Sequence, residues 1–260
     1  MCVGPDRINE SIATLLFDYK IYPRIDKTYI ISPYTKQEFT SLFDEFAINS
    51  SSIEVLPENY FDSYYDLTRW SHDNWYKQQA FKLCALDHFD SEYFLIQDCD
   101  LILLDPYSIW VSGELNFKAE PIWNEHQRVY ADMVEALIGL RRVKRCSLVN
   151  ELMPYRKQDW LDLKQLIEQK NQAEWLDAIP NLRPLDDSKW FSEYELLGIY
   201  KMNRQGWTYF LNPSQPPINS WDDFYNIDWS RQHSVKFHTP PLKHMNKQQV
   251  KTMTRYLQNA

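Results

Sequence analysis

One short apolar run that breaks off in acid constrains this chain more than any other feature. Tyr93-Phe94-Leu95-Ile96 lacks polar alternation and is too short for a helix, so it reads as a buried central strand of a parallel sheet. It gives way at once to Asp98-Cys99-Asp100. In open α/β sheets ligands gather beyond the carboxyl ends of the strands, and two carboxylates placed there ask for a compensating charge. The preceding segment predicts a helix capped by Asp73, apolar at Ala80, Phe81, Leu83, Cys84, Ala85 and Leu86 and therefore buried nearly all round. Its polar residues Trp75, Gln78, Gln79 and Lys82 fall at i, i+3, i+4 and i+7, a single stripe expected to face a polar cavity or solvent.

The flanking chain supplies the rest of an α/β alternation. Apolar spacing predicts helices over 8–19 and 35–47, with short β-rich runs at 27–32 and 52–56 between and after them. Further helices are predicted over 129–143 and 159–176. Strands alternating with helices imply a mostly parallel central sheet flanked by helices, and 260 residues with 44% hydrophobic and 25% charged content suit a single domain over 1–260. Five glycines, none close enough to another to form a G-x-G-x-x-G turn or a G-x-x-x-x-G-K-[ST] loop, exclude glycine-nest phosphate binding. The net charge of −8 opposes a polyanion as default partner, although Arg141-Arg142-Val143-Lys144-Arg145 and the tail from Arg231 to Arg255 are locally basic. Cys2, Cys84, Cys99 and Cys146 form no C-x-x-C pair, and no apolar run spans a bilayer or resembles a leader, so a cytoplasmic protein without a membrane span is expected.

Two acidic constellations are candidates for chemistry. A D-x-D pair offers hard oxygen ligands of the kind Mg²⁺ or Mn²⁺ takes when it completes its shell with water and phosphate oxygens; the competing reading is that Asp98 and Asp100 cap a turn. In Ser192-Glu193-Tyr194-Glu195, Ser192 and Glu195 fit a capping box, which leaves Glu193 in the first helical turn as a free carboxylate able to act as a base. His238 closes the β-rich run after Lys236 and is the histidine to consider for a metal or phosphate, against the commoner structural role. Aromatics make up 15% of the chain and most must be core; Trp110, Trp123, Trp190 and Trp207 fall in its later half. No Ser/His/Asp order or reactive cysteine stands out.

The succession W-x-x-Q-Q-x-x-K-L from Trp75, D-x-D from Asp98 and S-E-Y-E-L-x-G-x-Y from Ser192 resembles a poorly characterised family of bacterial and phage glycosyltransferase-like proteins with the GT-A, or nucleotide-diphospho-sugar transferase, fold. The resemblance implies a divalent cation, Mn²⁺ or Mg²⁺, on Asp98 and Asp100, completed by His238. It implies donor contacts from Gln78, Lys82, Asp98, Asp100 and Lys236, and from Gly4 at the end of a first strand cut to Cys2-Val3-Gly4. Glu193 and Glu195 inherit a second acidic motif that holds the base or the acceptor. The resemblance would also put acceptor loops in the later half of the chain, where Trp110, Trp123, Trp190 and Trp207 would stack on sugar faces. The implied activity is transfer of a hexose or pentose from a nucleotide-diphosphate sugar donor to a hydroxyl on a glycan acceptor or, in a phage setting, to a modified DNA base whose phosphates would meet 141–145 and the basic tail. The alternative is a non-catalytic sugar-nucleotide or glycan-binding module on the same fold.

Overall fold

The computed structural model describes residues 1–3, 7–21, 25–70, 73–103, 110–111, 114–119, 125–143, 146–149, 152–183, 190–204, 208–211, 220–227, 234–236 and 245–259. The chain forms two compact units: Met1–Tyr60, Gln97–Tyr107 and Gln215–Ala260 make the first, and Phe61–Ile96 with Ser108–Ser214 the second. Among the described residues no helix is long and apolar enough to cross a membrane.

The first unit opens with α1 (Ile8–Ile21), β1 (Thr28–Ser32), α2 (Lys36–Glu45) and β2 (Ile53–Pro57), in the predicted order. β1 and β2 pair in parallel from Thr28↔Ile53 to Ser32↔Pro57. Cys2 extends this ladder, bridging Ile31 on one side and Asp98 on the other, both in parallel, so the acidic turn sits on the end of the sheet. Thr35 starts α2 with a reciprocal capping box: its hydroxyl accepts the Glu38 N–H, and Glu38 accepts the Thr35 N–H. Phe39, Leu42 and Phe43, at i, i+3 and i+4, then bury against Val3, Ile12, Leu15, Ile30 and Cys99. Truncating fully buried Phe39 to Ala would cost about 3–5 kcal/mol. Ala13 of α1 serves a second cluster, with Ile102 of β4 (Leu101–Leu103), Phe224 of α8 (Trp221–Asn226) and Val250, Met253 and Leu257 of α9 (Lys247–Asn259). β4 runs antiparallel to β9 (Ser234–Lys236), which puts Lys236 opposite Leu101.

The second unit carries α3 (Asn74–His88), β3 (Tyr93–Gln97), α4 (Glu125–Ile138), β7 (Leu152–Arg156), α5 (Lys157–Asn171), α6 (Trp175–Asn181) and α7 (Glu193–Met202). β3 pairs with β7, and β6 (Glu114–Ala119) lies between β5 (Trp110–Val111) and β8 (Thr208–Leu211). Asp73 caps α3 as expected, accepting the Trp75 N–H at 2.7 Å. Two helix boundaries differ from the pattern. α4 stops at Ile138 because Gly139 turns left-handed at φ 76°, and Lys170 and Asn171 donate to the carbonyls of residues 135–137 that this leaves open. The stretch 159–176 is two helices, broken where Gln172 adopts φ 51°. The break lets Trp175 pack edge-on to Trp160 at 5.2 Å, within an aromatic core that includes Phe61, Trp70, Phe81 and Phe191.

Candidate active site

Backbone pairing and hydrogen bonds to its backbone help to hold the Asp98–Asp100 turn. Its carboxylates follow directly on β3, and Cys2 bridges Asp98. Fully buried Thr14 of α1 donates to the Cys99 carbonyl at 2.8 Å. Gln97 spans the turn, its amide donating to the Leu101 carbonyl at 3.1 Å. The turn is therefore fixed before any ligand arrives, and Asp100 is itself buried. Strand pairing then brings Lys236 beside Leu101, the residue after Asp100. A pair of hard carboxylate oxygens on a rigid turn fits a Mg²⁺ or Mn²⁺ ion, which takes few protein ligands and fills its shell with water and phosphate. Among the described residues no group of three His, Cys, Asp or Glu gathers to hold a metal. Gly4 and His238 lie outside the described residues, and of Lys236 only the backbone is described.

The other predicted residues converge in the second unit, on the start of α7, which is buried from Glu193 through Lys201. Here the polar stripe of α3 finds its partners. Trp75 donates its indole N–H to the Phe191 carbonyl at 3.1 Å, and Gln79 accepts the Glu193 N–H at 3.2 Å. Lys82, 5% exposed, donates to Glu193 at 2.6 Å and to the Tyr194 hydroxyl at 3.3 Å, with its ammonium 4.4 Å from the Tyr194 ring centroid. Tyr76 accepts the Trp190 N–H at 3.2 Å. Glu195 accepts the Leu148 N–H at 3.2 Å and pairs with Arg142 at 2.5 Å, both side chains almost wholly buried. Burial pushes the Glu195 carboxyl above the usual carboxylate range, against the opposing pull of Arg142. Burial likewise pushes the phenol of Tyr130 up to about 12, with Tyr76, Glu195 and Glu193 adding to the rise. The helix dipole favours both carboxylates in this first turn.

Several expectations are corrected by this geometry. Trp75, Gln79 and Lys82 of the α3 stripe meet the entry to α7 instead of a cavity or solvent. Ser192 precedes α7 but makes no side-chain cap, because Gln79 takes over the helix-start N–H and Glu195 turns to Leu148 and Arg142, so there is no capping box. Glu193 is no free carboxylate: it is fully buried against Lys82. Arg142, expected as a phosphate contact, is spent on Glu195, and Arg141 pairs with Glu135 at 2.6 Å. In the basic tail, Lys247 and Lys251 both bind Glu45, at 2.7 and 2.8 Å. Trp190 is core, 5.5 Å from the Tyr76 ring, and is closed to any sugar face; the side chains of Trp110, Trp123 and Trp207 lie outside the described residues. Gln78 is half-buried on α3.

Residues that the pattern did not single out do much of the positioning. Thr14 and Gln97 are examples, and the available signal for both was a polar side chain in an apolar stretch. Gly198 is another. A Cβ there would lie 2.8–2.9 Å from side-chain atoms of Leu148, so glycine is what lets the 146–149 segment cross α7 closely enough for Leu148 to reach Glu195.

Comparison with solved structures places this architecture. The chain matches the galactosyltransferase LgtC in complex with donor and acceptor sugar analogs, at 10% identity and TM-score 0.50, over 99% of this chain and 94% of that one. A structure of an active-site mutant of LgtC matches at 11% identity and TM-score 0.50, with the same coverage. The fold is α/β of the GT-A type, with parallel strands flanked by helices. No curated protein sequence matches the chain. A family model described as "Family of unknown function (DUF6492)" matches residues 13–215, most of the chain, and the protein accordingly belongs to that family.

Proposed function

We propose that the whole chain, residues 1–260, works as one glycosyltransferase domain that moves a hexose or pentose from a nucleotide-diphosphate donor to a hydroxyl of a saccharide or glycan acceptor. The observation that carries this reading is the convergence around one turn: strand pairing gathers Cys2, Asp98 and Lys236 about the rigid Asp98–Asp100 segment, in a chain with a sugar-transferase fold. Asp98 and Asp100 would hold Mn²⁺ or Mg²⁺, and a cation there supplies positive charge against the donor diphosphate and its leaving group. In this reading Lys236 adds a further charge for the phosphates, His238 completes the metal shell, and Gly4 follows Cys2 toward the donor. Gln78, Lys82, Glu193 and Glu195 are positioning residues. Lys82, Glu193 and Glu195 lock α3, α7 and the 146–149 segment together through buried charge, which supports a role in shaping the acceptor side instead of proton transfer, with Gln78 one turn before Lys82 on the same helix.

Calorimetry with uridine, guanosine and cytidine diphosphates, with Mn²⁺ and with EDTA, tests the proposal. The expected result is tight binding of at least one diphosphate only with Mn²⁺, lost in Asp98→Asn and Asp100→Asn without a change in melting temperature. Equal binding in EDTA sinks the metal assignment. Mn²⁺-dependent hydrolysis of the matching nucleotide sugar separates a working transferase from a binding module on the same fold. A duplex-DNA acceptor gains nothing from the structure, since Arg141, Arg142, Lys247 and Lys251 already have carboxylate partners.

A further inference from the structure

The C-terminal helices of the first unit build a cleft that none of the residues above enters. α9 divides its residues among distinct faces. Val250, Met253 and Leu257 go to the core, while Lys247 and Lys251 reach Glu45. Gln248, Gln249 and Thr252 are left for the remaining face. With Asn246, Trp221 and Tyr225 they line a cavity of about 280 Å³. Trp221 and Tyr225 stand one turn apart on α8 as a stacked pair, with ring planes 28° apart and centroids at 5.9 Å, and both line the cleft. Both are packed from beneath by Phe224, which fixes their orientation.

The polar wall is equally organised. The Asn246 side-chain carbonyl accepts the Gln249 N–H at 3.0 Å, and the Gln249 side-chain carbonyl accepts the Asn246 N–H at 2.9 Å. This reciprocal box holds both amides by their oxygens. Among the described residues neither amide NH₂ group has a partner, so two oriented donors remain, beside the exposed side chains of Gln248 and Thr252. The lining carries no charge, and the nearby ammonium groups are tied to Glu45. An anion such as a phosphate finds no counter-charge here, and an acyl chain would bury amides without partners.

The geometry points to a neutral saccharide as the ligand of this cleft. A pyranose presents one apolar C–H face, which suits the aromatic surface that the stacked Trp221–Tyr225 pair turns to the cleft, and equatorial hydroxyls, which suit a rim of amide donors and a threonine hydroxyl. The volume sits at the lower end of ligand-pocket sizes and accommodates one or two sugar units. Such a site tethers glycan and makes no demand on metal or nucleotide, so it stands whether or not the chain transfers sugar.

The test uses the full chain with its tryptophan indoles labelled with ¹⁵N, titrated in turn with maltotriose, lactose and N,N′-diacetylchitobiose, without metal or nucleotide. The Trp221 indole resonance is identified by its loss in Trp221→Phe. The expected result is a saturable shift of that resonance by at least one saccharide, with a dissociation constant in the millimolar range, and no shift with glycerol at equal concentration. In Gln248→Ala/Thr252→Ala, whose side chains are exposed, affinity falls about five-fold or more while the melting temperature holds. No saturable shift with any of the three sugars, an equal response to glycerol, or unchanged affinity in the double variant overturns the assignment.

Discussion

The two acidic constellations look alike as sequence, each a pair of carboxylates separated by one residue, yet the molecule treats them oppositely. At Asp98–Asp100 the chain is fixed through its backbone: Cys2 pairs with the strand end, Thr14 holds the Cys99 carbonyl, and Gln97 bridges to Leu101. At Glu193 and Glu195 the carboxylates themselves are the fixing groups, each buried on a cation from another segment. The difference teaches two ways of fixing an acidic segment: the first is set by bonds to its backbone, whereas the second uses its charges internally at the cost of desolvating them, and in the proposed reading the first is the one that meets the donor diphosphate.

The largest expected effect tests whether α7 really depends on its buried pairs. Lys82→Met should cost about 3–5 kcal/mol in urea unfolding, because it leaves Glu193 buried without its cation, and adding Glu193→Leu should restore much of the loss. A loss no greater than that of Asp98→Asn would erase the contrast between the two constellations. Next, Gly198→Ala should destabilise by about 1–3 kcal/mol through its collision with Leu148, and adding Leu148→Ala should relieve only the part due to Cγ and Cδ1, since the residue 148 Cβ at 2.9 Å remains.

The turn should respond more mildly. Thr14→Val keeps the shape and removes the donor to the Cys99 carbonyl, for an expected cost of about 1 kcal/mol, together with weaker Mn²⁺-dependent diphosphate binding. Loss of stability without any change in binding would mean that Thr14 only packs. The smallest effect is a pH slope. Burial raises the Glu195 carboxyl in the folded chain, so its contribution to stability is complete below the ordinary carboxylate range and is lost as pH rises through the raised folded value. Glu195→Gln should flatten that part of the stability profile measured by urea unfolding, and an unchanged slope would place the titration elsewhere.

Much of the frame was legible from local pattern. The 3.6-residue spacing of Phe39, Leu42 and Phe43, the unbroken Tyr93–Ile96 run and the Asp73 cap each specify their element through contacts within a few residues, and all three elements appear where expected. β3, however, is buried only at Ile96 and Gln97 and leaves Tyr93 exposed, short of the buried strand expected, because an apolar run does not fix what packs on its faces. Helix ends were harder, since Gln172 turns left-handed to let Trp175 bury, a preference that comes from the aromatic core and not from glutamine. The stripe of α3 was read correctly as a stripe and wrongly as facing a cavity or solvent, because spacing reports which residues share a face and nothing about what lies opposite.

By itself, then, the sequence determined the α/β alternation, the strand that ends in Asp98-Cys99-Asp100 and the absence of glycine-loop phosphate binding, all of which follow from local sterics, periodicity and composition. Tertiary structure alone decided that Glu193 meets Lys82 across 111 residues of chain, that Glu195 meets Arg142, and that Lys236 pairs beside the acidic turn. Those pairings depend on which faces come together once apolar surface is buried, and a carboxylate reads the same in sequence whether its partner is a buried lysine or an arriving ligand.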